Sequence, residues 1–209
     1  MNKVWAVPIL VVLILWAFYG SFEVSVSMAN KIAALTALFL ISLSLIIGPL
    51  SRFWPKIFAP YKQHRKFLGL AGFAFAIVHV SLSLNYVWTK NILAAALSLS
   101  TFKSYGWYAG IAGFLVFLVV SLTSTKGAML KFGYDKWKAI QMLSYIALVL
   151  VIMHFYIMEI KPDGVFRVKP LGMAIFWFAI GALGARVLVL LYNLPHRKKY
   201  EEHFAHSAK

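Results

Sequence analysis

Six apolar runs, each close to the length of a bilayer crossing, alternate with short clusters of basic residues. They cover about 4–20, 32–50, 67–88, 105–124, 139–160 and 171–192. A membrane helix needs roughly 20 mostly apolar residues. The pattern therefore predicts an all-α, polytopic membrane protein of about six transmembrane helices, with one domain over 1–194 and a short charged tail over 195–209. Composition agrees: 62% of the 209 residues are hydrophobic, 13% are charged and mean hydropathy is +0.79. A soluble domain is nearer half apolar and a quarter charged, so lipid is the natural solvent for this chain. Lys3 ahead of the first run resembles the start of a signal peptide, with Ser27-Met28-Ala29 as a cleavage site. The run is long for a signal core and that site lies well beyond it, so an uncleaved first span is expected.

Lys and Arg number 21 against six Asp and Glu, a formal net charge of +15. In a soluble protein this would suggest nucleic acid. Here the charges sit between apolar runs, which points to topology and contact with anionic headgroups, and no nucleic-acid partner is expected. Fourteen basic residues fall at one set of span ends, among them Arg52, Lys56, Lys62, Arg65, Lys66, Lys126, Lys131, Lys136 and Lys138, with Lys3 and the tail. Six fall at the other: Lys31, Lys90, Lys103, Lys161, Arg167 and Lys169. The excess belongs inside, so both termini are expected in the cytoplasm. Trp54, Tyr61, Tyr86, Trp88, Tyr105, Trp107, Tyr134 and Trp137 lie at predicted span ends, where amphipathic rings collect. Pro49, Pro55 and Pro60 are expected at or beyond the end of the second span, interrupting no helix interior.

The chain has no cysteine. Disulfides, thiolate-bound zinc and iron–sulfur clusters are excluded together, leaving histidine as the best metal ligand. His196, His203 and His206 fall in the tail and read as solvated. His79 lies well inside the third span and His154 well inside the fifth. Ionisable side chains at such depth are costly and usually functional. Counted from Lys66 and Lys138, the two histidines are 13 and 16 residues in, roughly 20 and 24 Å at the helical rise. Two histidines at matched depth on parallel helices can hold one planar ligand, and histidine is a standard axial ligand of haem iron. A bond from each ring to Ser, Thr or backbone is the plainer alternative. No Asp or Glu lies mid-span, which argues against a proton pump or ion pore.

His64 falls at the inner edge, in Tyr61-Lys62-Gln63-His64-Arg65-Lys66, either as an interfacial residue or as an anchor for a second, inner cofactor. The facing position on the fifth span is near Gln141, a poor iron ligand but a good partner for a flavin or quinone carbonyl. Gly69 and Gly72, Gly106, Gly110 and Gly113, and Gly181 and Gly184 are spaced to let helices, or a flat ring, approach closely.

The stretch His64-Arg65-Lys66-Phe67-Leu68-Gly69-Leu70 running on to His79 resembles the haem-bearing third helix of the ferric-reductase-like transmembrane family. Leu122-Thr123-Ser124-Thr125-Lys126, then Trp137-Lys138-Ala139-Ile140-Gln141-Met142-Leu143-Ser144-Tyr145 and His154, is similar to the same family, over about 35–160 in all. The resemblance extends to haem-binding subunits of periplasmic methionine sulfoxide reductase systems. The resemblance implies haem b ligated by His79 and His154, in a bacterial inner membrane. It implies electrons taken from a cytoplasmic flavin reductase or quinol and passed to a periplasmic molybdenum-cofactor subunit that repairs methionine sulfoxide. Arg65 matches a basic residue near a propionate or flavin phosphate, so FMN is a possible second cofactor. Gln141 stands where relatives carry His, which leaves a second haem to His64 or to none. A stand-alone ferric or quinone reductase, and a non-haem scaffold or transporter, are the competing readings.

Overall fold

The computed structural model describes residues 3–19, 25–89 and 101–207, and the side chains of 4–18, 25–86 and 101–193. A 3₁₀ turn at Lys3–Trp5 leads into α1 (Ala6–Tyr19). Then come α2 (Val26–Phe53), the single turn α3 (Pro55–Phe58), a 3₁₀ stretch at Ala59–His64 and α4 (Arg65–Thr89). The second half holds α5 (Phe102–Leu122), α6 (Lys126–Phe132), α7 (Tyr134–Glu159) and α8 (Pro170–Ser207). Among the described residues the only β feature is one isolated antiparallel bridge, Ile160 to Phe166. The chain is an all-α, multi-pass membrane protein.

Five segments are long and apolar enough to cross a bilayer: α2, Pro55–Tyr86, α5, α7 and Pro170–Asn193 of α8. The first apolar run forms α1, which has 14 residues. That is about 21 Å, short of the ~30 Å hydrocarbon core. The expected six crossings are thus five full-length helices and one short one among the described residues. Helix α8 continues through Pro195 to Ser207, so the backbone of the expected tail prolongs the last span. The side chains of Lys3, Trp88 and the tail histidines, and all of Lys90 and Lys209, lie outside the described residues.

Helix α2 begins six residues before the apolar run, because Ser25 caps it: the Ser25 hydroxyl accepts from the Met28 N–H at 3.1 Å. It also ends later than expected, which corrects the reading of Pro49. That residue lies inside the helix, not at its end. A helical proline lacks the N–H that would bond the carbonyl four residues back, here that of Leu45. The freed Leu45 carbonyl instead accepts from the Tyr145 hydroxyl at 3.2 Å. A helix that loses a backbone donor gains a bond to α7.

Helix α2 is the centre of the bundle, with 72% of its apolar window buried against 28% or less for the other four spans. It packs along α4 and α8, while α5 packs along α7. The α2–α4 and α5–α7 pairings are close because one partner is glycine. A Cβ at Gly72 would stand 2.8 Å from Ile41 of α2, and one at Gly106 or Gly113 would stand 2.9 Å from Ile157 or Val151 of α7. The two pairs meet where Phe73 stacks on Phe114 at 5.4 Å and where Tyr145 reaches Leu45. Towards the start of α2 and the end of α7 they part around a cavity.

Candidate functional site

His79 on α4 and His154 on α7 face each other across that cavity, with ring centres 6.2 Å apart and planes at 67°. Each ring is fixed through Nδ1. His154 Nδ1 is 2.7 Å from the Gly106 carbonyl, so it donates and carries the proton. His79 Nδ1 is 2.7 Å from Asn30 Oδ1, whose amide nitrogen donates to Ser83 Oγ at 3.0 Å. With both Nδ1 atoms protonated, each Nε2 keeps its lone pair. Neither Nε2 makes a hydrogen bond within the described residues.

The spacing suits one atom held between two imidazoles. A ligating nitrogen sits about 2 Å from a first-row metal, and about 1 Å from its own ring centre, so ring centres on opposite sides of one metal are about 6 Å apart. Among the described residues, no three His, Asp or Glu side chains cluster to hold a bare ion. A metal bound by this pair must bring its other ligands with it, as a planar macrocycle does. The cavity is about 1160 Å³, above the usual range for a small-molecule pocket. Its wall is apolar, including Leu38, Ile41, Phe117 and Leu148, and its lining also includes Lys31, Lys161, Arg167 and Lys169, with Glu159 the one acid among the described lining residues; Lys161 pairs with Glu159 and Arg167 with Asp163. The residues present fit a flat apolar ligand with negative groups at one edge.

Backbone features hold the His154 side in place. Gly110 lets the ring lie against α5: a Cβ there would come 2.5 Å from His154 Nδ1 and 2.9 Å from Cε1. Lys103, at the start of α5, donates to the carbonyls of Met158 (2.6 Å) and Ile160 (2.7 Å). It thereby satisfies acceptors at the C-terminal end of α7 that the helix itself leaves open.

The other three candidate residues lie elsewhere. Arg65 starts α4, 14 positions before His79, or about 21 Å along the helix. Its Nε donates to the Ser44 carbonyl at 2.9 Å, and Ser44 Oγ donates to the Arg65 carbonyl at 2.7 Å, locking α4 to α2. His64 closes the 3₁₀ stretch, half-buried, with no hydrogen bond among the described residues. The Gln141 amide is engaged within the chain: Nε2 is 3.2 Å from the Val120 carbonyl and 3.1 Å from Thr123 Oγ1, and Oε1 accepts from Ser124 at 3.2 Å. These bonds tie α7 to the end of α5. None of the three lines the cavity.

Asn30 and Ser83 carry no sequence signal of their own. Asn30 lies in 25–31, too polar to count as membrane helix by hydropathy, and only the Ser25 cap signals that α2 already includes it. Gly106 and Gly110 stand out by spacing, but ordinary helix packing gives the same spacing.

Residues 31–152 match the family model for the ferric reductase like transmembrane component. The matched span contains His79 and ends two residues before His154, and Asn30 immediately precedes it. The chain is 26% identical over 102 residues to the magnetosome protein MamZ of Magnetospirillum gryphiswaldense, covering 49% of this chain and 15% of that one. It is 27% identical over 136 residues to the protein-methionine-sulfoxide reductase heme-binding subunit MsrQ of Azospira oryzae, covering 61% of this chain and 55% of that one. The matches thus span about half of MsrQ and a small part of MamZ. With more than half of its residues matched, and membrane helices that bring two histidines face to face, the chain belongs to the ferric reductase like transmembrane component family.

Proposed function

We propose that the chain is a membrane electron-transfer subunit that holds one haem b between His79 and His154. The observation that carries this reading is the pair of facing imidazoles, 6.2 Å apart and each tied back through Nδ1. A ligating histidine typically donates its second ring N–H to a carbonyl or carboxylate, which fixes the tautomer and raises the basicity of the ligating nitrogen. Both rings have that arrangement. Haem b held there by His79 and His154 would supply a one-electron carrier. With both imidazoles engaged in holding that group, neither is left to bind or activate a substrate, which favours passing electrons over substrate chemistry. The apolar wall keeps water from the imidazoles, and the basic rim suits the carboxylates of such a ligand.

Charge and the relatives support a direction and a class of partner. The excess of basic residues around α3, α6 and the start of α4 puts those ends in the cytoplasm of a bacterial inner membrane. The cavity mouth then faces the periplasm. The likeness to a methionine sulfoxide reductase subunit supports a periplasmic catalytic partner as acceptor, with a cytoplasmic flavin reductase or quinol as donor. Gln141 and Arg65, the residues the resemblance offers to a flavin such as FMN, bond within the chain to α5 and α2.

The test is a dithionite-reduced minus oxidised spectrum of membranes containing the chain. A haem b α-band is expected, and His79→Ala and His154→Ala should each abolish it. A full band in both variants sinks the ligand assignment. Purified chain that reduces ferric chelates unaided would favour a stand-alone reductase.

A further inference from the structure

The two imidazoles are held by acceptors of different kinds. His154 donates to a backbone carbonyl, that of Gly106, which no side-chain substitution removes. His79 donates to a side chain on another helix, the Asn30 amide of α2. That amide is itself oriented. Its nitrogen donates to Ser83 Oγ at 3.0 Å, and Ser83 sits one turn beyond His79 on α4, its Oγ 3.4 Å from Asn30 Oδ1. Rotating the amide by half a turn would set its NH₂ against the His79 N–H and forfeit the bond that His79 makes. The Ser83 hydroxyl, which can pair with either end of the amide, holds the group beside α4, and the His79 N–H takes its oxygen.

We propose that Asn30 is a positioning residue of the iron site, fixing the tautomer and rotation of His79 and setting how strongly Nε2 donates. This deepens the haem reading and rests on it. An acceptor on Nδ1–H draws the proton outward and enriches Nε2 in electron density. A more electron-rich ligand favours ferric over ferrous iron and lowers the reduction potential. Residue 30 therefore tunes the potential through one ligand only, because the other is anchored to the main chain.

The sign is testable at one position. Asn30→Asp places a formal negative charge on the acceptor and should lower the midpoint potential. Asn30→Leu keeps the branching at Cγ without an acceptor, and should raise it. Ser83→Ala frees the amide and should raise it by less. Outer-shell changes of this kind commonly alter metal-site affinity by about 10-fold or more. A tenfold change in the ferric-to-ferrous affinity ratio is about 59 mV for one electron. The measurement is a spectroelectrochemical titration of the α-band in the purified full chain.

Midpoints in the order Asp, wild type, Leu, with Ser83→Ala between wild type and Leu, support the proposal. Coincident midpoints, or Asp and Leu both displaced to the same side, overturn it. Should Asn30→Leu load no haem, shifts of opposite sign in Asn30→Asp and Ser83→Ala support the proposal, and shifts of the same sign overturn it. Absence of the band from wild type refutes the haem reading. A wild-type band with unmoved variant midpoints refutes the Asn30 assignment alone.

Discussion

Gly110 leaves the space in which the His154 ring lies against α5. A methyl group there would stand 2.5 Å from Nδ1, 2.9 Å from Cε1 and 3.0 Å from Cγ. The obstacle is a ring pinned to the Gly106 carbonyl, not the end of a pliant chain. Gly110→Ala must either break that bond or part α5 from α7, at about 1–3 kcal/mol of overpacking. The expected result is a large loss of haem absorbance per unit of protein, compared with Gly181→Ala, where nothing lies within 4 Å and no loss is expected. The two histidines are readable from sequence because a ring nitrogen deep in an apolar run stands out. Their anchors are not: a main-chain carbonyl has no sequence signature, and Asn30 sits where polarity reads as loop.

Pro49 and Tyr145 join two helices that look independent in the sequence. The Leu45 carbonyl has no intrahelical donor because residue 49 is proline, and the Tyr145 hydroxyl takes that place. Tyr145→Phe should lower the melting temperature of detergent-solubilised protein, reflecting a loss of about 0.6 kcal/mol, the average for such bonds between membrane helices. In a Pro49→Ala background, where the restored backbone N–H at position 49 can bond the Leu45 carbonyl, the same change should cost clearly less. Equal costs in both backgrounds would refute this coupling, since independent sites add. Element identity is legible throughout, because a run of some 20 apolar residues admits little but a helix. Element ends are not. Caps and prolines decide them, and hydropathy averages over both: α2 gains residues at each end, from the Ser25 cap and from tolerating Pro49 inside it.

At the scale of the whole molecule, the charge distribution predicts sidedness. The chain lacks cysteine, so introduced thiols are clean reporters. Lys131→Cys on α6 and Asp163→Cys in the α7–α8 connection are both at exposed positions. Membrane-impermeant maleimide should label residue 163 from the periplasmic side and residue 131 only in inverted vesicles. Labelling of both from one side would overturn the orientation. The helix pairs are not readable from sequence, because each apolar run looks alike until glycines and a few bonds choose its neighbour. Their arrangement resembles a clothes-peg: α2–α4 and α5–α7 clamp at Phe73, Phe114 and Tyr145, and gape at the far end around 1160 Å³. If haem is its ligand, such a jaw left unfilled would admit acyl chains and slacken the connections at its mouth. On the haem reading proposed above, biogenesis and porphyrin supply would be linked: cells starved of porphyrin should clear the chain through membrane quality-control proteases, and feeding the precursor should restore its half-life.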